Sequence, residues 1–394
     1  MRRLPVLLLA ASLVWVPSST CAQSASGAQS TFLDPSVESA GMGSAEVAVF
    51  WRETPDDWAN PAHLGHQRGI RYSYGETQLV PDLADDVYFK THRILLGGWG
   101  LGLNVSGKPI DTVGKLRLDY GKSYATDIDG NIIAVFSSYE EIRTLGVGVS
   151  LLELASNIAV ATGGSPWGVG RWLMVELGHS WKDIVVDLAP ANVTLDGLAA
   201  HGEAIEKDRG ALIRVTPLDG IGSEGGGLRH RVDLAAGFAQ LNYDDSEIIY
   251  IDEDQPDPIV EDRRLGFSAR WKLALRAGRG WIWSLVSPTV DIGFAWQQSK
   301  FYDGGSQVGG TITRRGQELV LADVVSLRHG YVDDEVGTVE NDTWGVGAGL
   351  AYRKAIGARF DWAQVPQSRF LRQDVQRRSI TVYVDPLKIW RELR

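Results

Sequence analysis

The chain has 394 residues, and its acids outnumber its bases by 49 to 39, for a formal net charge of −10. That balance argues against a general nucleic-acid binder. Beyond the N-terminus no apolar stretch reaches the roughly 20 residues that a membrane-crossing helix needs. A β-barrel stays open, because its strands meet lipid only at every second residue and a mean hydropathy of −0.10 is compatible with that.

The first residues read as a secretory signal. Arg2 and Arg3 supply the positive start, 4–16 the apolar run, and the small residues after Pro17 a cleavage site following Ala22 or Ser24. Ser18-Ser19-Thr20 is a poor lead for acylation of Cys21, the single cysteine. A cleaved chain would therefore hold neither thiol nor disulfide, leaving packing and the sheet ladder to stabilise it.

After a small, polar leader over 24–30 comes the segment around which the chain is organised. Gly41 and Gly43 flank Met42, and Ala40, Ser44, Ala45 and Ala48 add almost no bulk. Such a stretch can pass close to other backbones, and glycine tolerates positive φ. Asn60-Pro61-Ala62 reads as a turn, since a residue before proline favours extended or turn geometry. Alternation typical of a strand begins at Gly69-Ile70-Arg71-Tyr72-Ser73-Tyr74. A small-residue segment, a turn and a first strand describe a plug entering a barrel.

The run Ala40-Gly41-Met42-Gly43-Ser44-Ala45, followed by Trp58-Ala59-Asn60-Pro61-Ala62, resembles the N-terminal hatch of the outer-membrane long-chain fatty-acid transporter (FadL) family. It is also similar to the related PorV-type barrels. The resemblance is detailed only here; elsewhere it is one of architecture. It implies a hatch containing Gly41, Met42, Gly43, Asn60, Pro61 and Ala62, and passive uptake of hydrophobic small molecules. Its alternative implication is a PorV-like barrel that serves secreted proteins as shuttle or assembly partner, without small-molecule transport.

The remaining chain alternates with period two. Leu95, Trp99, Leu101, Leu103 and Val105 stand against Gly98, Gly100, Gly102 and Asn104; Leu145, Val147, Val149 and Leu151 stand against Gly146, Gly148 and Ser150. Phe267, Trp271 and Leu275 alternate with Ser268, Arg270, Lys272 and Arg276, and Trp344 to Tyr352 repeats the pattern against glycines. A soluble sandwich alternates too. Two features favour a barrel: Trp99, Trp344 and Tyr352 near strand ends, and passes of about 10–15 residues where sandwich strands cluster near 5–6. Arg270, Lys272 and Arg276 then line the lumen. Further strands are predicted over 171–181, 182–189, 208–217, 228–243, 281–298, 318–328 and 377–390, roughly 12 to 14 in all; the resemblance implies fourteen. The stretches 158–167 and 193–207 are mixed and suit a short helix outside the sheet. The charged piece 77–87 is a connection, and the acidic stretch 244–262 is a solvated loop whose spacing fits no calcium-loop pattern.

Catalytic signals are missing. The seven histidines show no ligand spacing, and there is no nucleophile elbow or phosphate loop. Gly222–Gly227 reads as a loop, and Asp82, Asp85 and His92 imitate a rim site without its spacing. The expectation is an all-β, antiparallel transmembrane β-barrel of about 14 strands with an N-terminal hatch in the lumen, divided into a signal (1–22), leader and hatch (23–64) and barrel (65–394). It is expected to be no enzyme and to need no catalytic residue, metal or cofactor. It should sit in the outer membrane with lipid, a hydrophobic small-molecule ligand or a secreted protein as partners, and no nucleic acid.

Overall fold

The computed structural model describes residues 28–52, 57–81, 84–106, 115–193, 199–221, 228–250, 256–275, 285–286, 288–335, 339–366 and 374–393. The predicted signal 1–22 with Cys21, the loop 222–227, Asp82 and Arg276 lie outside them.

A single antiparallel sheet closes on itself. Strand β1 (Gly69–Gln78) pairs with β2 (Tyr88–Gly98) on one side and with the last strand, β17 (Val375–Val384), on the other. The strands β3 (Leu101–Ser106) and β4 (Leu116–Thr126) share one wall position, pairing with opposite ends of β2 and both with β5 (Ile132–Ser150). The wall continues through β6 (Leu173–Ala189), β7 (Ala200–Ile221) and β8 (Leu228–Leu241). A small hairpin, β9 (Glu247–Tyr250) and β10 (Asp257–Pro258), rides on the protruding end of β7. Then follow β11 (Glu261–Leu275), β12 (Thr289–Asp303), β13 (Ser306–Leu321), β14 (Val325–Asp334), β15 (Val339–Tyr352) and β16 (Ile356–Val365). The result is a closed barrel of fourteen antiparallel wall positions. Closure removes every unpaired edge, which hydrocarbon would penalise by several kcal/mol for each bare N–H or C=O.

The alternation places apolar residues outward and polar residues inward, the reverse of a soluble domain. On β11, Leu265, Phe267, Trp271 and Leu275 are exposed on the outer face, while Asp262 and Ser268 are buried on the inner one. Exposed large apolar residues continue round the wall, among them Leu145, Leu177, Ile213, Phe238, Phe294, Leu327, Val346 and Ile380. We call the end where β1 begins and β17 finishes the proximal end, and the other the distal end. Three proximal turns are tight: Trp99-Gly100, Ala322-Asp323 and Arg353-Lys354 all take positive φ, the geometry that matches strand twist in tight hairpins.

Several boundaries differ from the sequence expectation. Leu151 ends no strand; it begins helix α2 (Leu151–Ala161), so the helix lies earlier than 158–167. Of the stretch 193–207, residues 194–198 lie outside the described residues, and from Ala200 onward it is strand: β7 starts there and extends the expected 208–217 pass both ways. The passes 171–181 and 182–189 are one strand, β6, through which alternation runs unbroken, with Ser180, Lys182, Ile184 and Val186 all buried inward. The 318–328 pass is two strands, split at Ala322-Asp323 without a glycine to announce it. Strand β17 stops at Val384 and a terminal helix, α3 (Pro386–Leu393), follows. Within 244–262, the part expected as open loop includes β9 and β10, and Glu261 and Asp262 are buried at the start of β11. Trp344 sits well inside β15 rather than at its end.

Candidate functional site

Residues 28–52 and 57–67 touch the wall from β2 round to β17, which places them inside the closed ring. They are almost entirely buried. Beyond a 3-10 turn over Gln29–Phe32, two short helices shape them. In the first, α1 (Val37–Ala40), the Ser36 hydroxyl caps the start by accepting from Ser39 N at 3.1 Å, and Val37 and Ala40 pack on Ala363. In the second, a 3-10 turn over Pro61–His66, Pro61 stands at a position whose missing N–H costs nothing.

Glycines on the wall make room for this segment. Gly97, Gly102, Gly148, Gly178 and Gly210 lie directly opposite one another across successive strands, as do Gly237 and Gly266, and Gly316 and Gly330. Each faces the inner segment: Gln67, Leu64, Pro61, Asn60, Val47, Met42 and Gly43 are what added Cβ atoms would strike in turn. On the segment itself, a Cβ on Gly41 would lie 2.9 Å from Gly345 Cα, and one on Gly65 would lie 2.8 Å from the Val149 carbonyl carbon. Gly43 has φ +65 and donates its N–H to Thr343 Oγ1 at 2.9 Å. The inner segment and the wall meet backbone to backbone.

Because the segment forms no sheet with the wall, its polar backbone must find side chains. Gln297 Oε1 accepts from both Glu46 N and Val47 N at 3.0 Å, and Ser268 Oγ donates to Ala48 O at 2.7 Å. Asn60 serves three strangers at once. Its Oδ1 accepts from Ala62 N at 3.0 Å, while Nδ2 donates to Val47 O at 2.8 Å and to Ala211 O on β7 at 3.1 Å. It thereby fixes the turn, ties it to the segment's earlier half and fastens both to the wall.

Charge holds the middle. Arg52 pairs with Glu38 at 3.0 Å and, in a two-bond fork, with Glu46 at 2.5 and 2.9 Å. From the wall, Arg328 reaches Glu318 at 2.7 Å and Asp361 at 2.8 Å, and Arg359 approaches Glu38 at 3.4 Å. Trp51 Nε1 donates to Glu318 at 2.9 Å. Charges taken from water tolerate burial only when paired this fully. Burial pushes Glu38 up, but Arg359, Arg328 and Arg52 outweigh it and bring the carboxyl down to about 2. Glu46 has Arg52 as its one strong cation, and burial prevails, pushing it up to about 7.

Beside this network a cavity of about 200 Å³ is lined in part by Trp51, Arg52, Arg270, Lys272 and Asp323. Arg270 meets Asp291 at 2.7 Å; Lys272 bridges Asp291 at 2.9 Å and Asp323 at 3.1 Å. Across the lumen the lining changes character. Phe89, Leu116, Leu118, Ile142, Ile184 and Val186 turn inward from β2, β4, β5 and β6 to form an apolar compartment. Ala28 and Trp58 of the inner segment fill it, and Ile248 and Tyr250 of the β9 hairpin pack on it. Lys182, held by Glu206 and Asp208 at 2.7 and 2.9 Å, lies 4.0 Å over the Trp58 ring at its border.

The structure thus brings Gly41, Met42, Gly43, Asn60, Pro61 and Ala62 together inside the barrel, with Arg270 and Lys272 on the inner wall. Asp85 and His92 come to no common site: His92 faces outward against Tyr72 and Tyr74. Sequence reasoning passed over Glu38, Glu46 and Arg52. Their signal was three charges spaced through a stretch of otherwise small or apolar residues. Among the described residues no group of three or more His, Cys, Asp or Glu is placed to hold a metal.

No family model matches the chain, and no curated protein matches it by sequence. Among solved structures it is similar to a FadL homologue of Pseudomonas aeruginosa, at 8% identity and TM-score 0.34, over 88% of this chain and 97% of that one. It is similar to the toluene transporter TbuX of Ralstonia pickettii at 10% identity and TM-score 0.39, over 88% and 97%. The toluene transporter TodX of Pseudomonas putida gives 11% and 0.33, over 87% and 95%. At such scores the description of the fold rests on this chain's own strand register.

Proposed function

We propose that this chain is an outer-membrane β-barrel through which hydrophobic small molecules pass, and that residues 28–67 form its gate. The apolar compartment carries the reading. Among the described residues this is the largest inward-facing apolar cluster, and the protein's own Ala28 and Trp58 occupy it. An apolar solute gains roughly 25 cal/mol for each Å² it takes out of water there, and it competes with those residues for the same surface. Binding and displacement of the gate then become one event. The sequence resemblance to the FadL hatch points the same way, and residues 1–22 act as the export signal.

The charged cavity around Arg270 and Lys272 favours a second reading, a PorV-like barrel serving secreted proteins, since an apolar solute would find no continuous greasy path beyond it. Deleting 32–49 separates the two. The strand ladder closes without these residues, so the barrel should fold. A gate predicts leakage of polar solutes in liposome swelling, together with altered uptake of an apolar probe such as toluene. Unchanged uptake and swelling would overturn the transport reading.

A further inference from the structure

The seam where the first and last strands meet carries a groove on the outer face of the barrel. Its cavity is about 810 Å³, in the range of small-ligand sites. Three adjacent strands line it and sort their side chains in one direction. On β16, Phe360 lies deeper and Gln364 nearer the distal rim; on β17, Ile380 lies deeper and Arg378 nearer the rim; on β1, Tyr74 lies deeper and Glu76 nearer the rim. The floor is apolar and the mouth is polar.

The charges at the mouth are arranged for something other than each other. Glu76 and Arg378 are directly opposed across β1 and β17, the spacing at which opposite charges normally attract. The structure shows no ion pair between them. Glu76 instead accepts from Tyr74 OH at 2.5 Å, and Arg378 donates to Gln376 Oε1 at 3.3 Å. Asp374, also at the mouth, accepts from the Gln364 amide. Two carboxylates and a guanidinium, in no ion pair among the described residues, surround an opening that leads down to Phe360 and Ile380, and Lys90 of β2 stands opposite Glu76 on its other side. Below the mouth the outer face of β16 and β17 is apolar, with Ile356, Phe360, Ile380, Val382 and Val384 exposed.

We propose that the seam groove binds a membrane amphiphile with a zwitterionic head. Its ammonium lies toward Glu76 and Asp374, its anionic group at Arg378, and its chain along Phe360 and Ile380. The inference requires only that the barrel sit in a bilayer, so it stands or falls separately from transport.

Native mass spectrometry of the full chain in a neutral detergent tests it, with added phosphatidylethanolamine, phosphatidylglycerol or diacylglycerol of identical chains. One phosphatidylethanolamine should be retained in preference to the other two. Arg378→Gln or Glu76→Gln should weaken retention about tenfold, the loss of one charge-assisted hydrogen bond. Ile380→Trp, which keeps the charges and fills the floor, should weaken it as well. Heat-modifiable gel mobility confirms that each variant is folded. Equal retention of phosphatidylglycerol, retention unchanged in all three variants, or full competition by soluble phosphoethanolamine would each overturn the proposal.

Discussion

Gly41 of the inner segment and Gly345 of β15 face each other with no room for a side chain on either: a Cβ on one would stand 2.9 Å, and on the other 3.0 Å, from the partner's Cα. Neither φ is left-handed, so the requirement is one of space alone. The contact is reciprocal, and it identifies what the wall glycines are for.

Gly41→Val or Gly345→Val should therefore loosen the segment while leaving the barrel closed. Overpacking of this kind costs about 1–3 kcal/mol. Liposome swelling should show a leak in both variants. Gly98→Ala is the control, because the nearest atom to a Cβ there is Leu387 Cδ1 at an ordinary 3.5 Å. A leak in the control, or none in the other two, would refute the packing argument.

Asn60→Ala removes three hydrogen bonds and leaves Val47 O and Ala211 O without their donor. At about 1 kcal/mol for each bond, with more for a stranded buried carbonyl, the turn should lose about 3 kcal/mol. Limited proteolysis of reconstituted barrels should then cut within 28–66 faster than in the parent protein. Asn60→Asp should be no better, since it restores the acceptor but neither donor. A rescue by Asp would mean that Ala62 N is the only partner that matters.

On β11, neighbours should respond oppositely. Trp271→Arg sets a charge on the lipid face at a cost of about 2–4 kcal/mol near the midplane, and the folded fraction on unboiled gels should fall. Arg270→Ala leaves Asp291 still paired with Lys272 at 2.9 Å, so folding should be nearly unchanged. Equal losses from both would show the two faces to be misassigned.

Two buried carboxyls of the segment, Glu38 and Glu46, predict a stability optimum in mild acid. Glu46 is pushed from 4.5 to about 7, so between those values the docked form holds a proton that the released form lacks. Its docking therefore strengthens as pH falls from 7 toward 4.5. Glu38 is lowered from 4.5 to about 2, so there the released form holds the extra proton, and docking weakens as pH falls from 4.5 toward 2. Thermal midpoints should peak near pH 4.5. In Glu46→Gln the rise between pH 7 and 4.5 should vanish and the acid limb remain; an unchanged rise would exonerate Glu46.

Much of this architecture was legible because a barrel wall is written locally. Outer residues such as Phe267, Trp271 and Leu275 alternate with inner ones under a period that no distant contact can alter. The inner segment announced itself through the small residues around Gly41 and Gly43. What stayed illegible was long-range. Nothing near Glu38 in the chain tells that Arg328 and Arg359 lie beside it, and nothing near Lys182 reveals Trp58. The split at Ala322-Asp323 was hidden for a local reason: two non-glycine residues adopt positive φ there, against the usual preference.

The hydrogen bond from Gly43 N to Thr343 Oγ1 spans 300 positions of sequence, and it fixes an order of assembly. Gly43 emerges early during synthesis, yet the strands β13, β14 and β15 that it touches emerge near the end. Contacts this distant in sequence form late, because the entropy of closing so long a loop precedes any reward. This part of the segment is therefore made early and seated late. A barrel stalled before β15 offers Asn60 its place on β7 but leaves Gly43 unseated, so the segment's first half stays accessible until the ring is nearly closed.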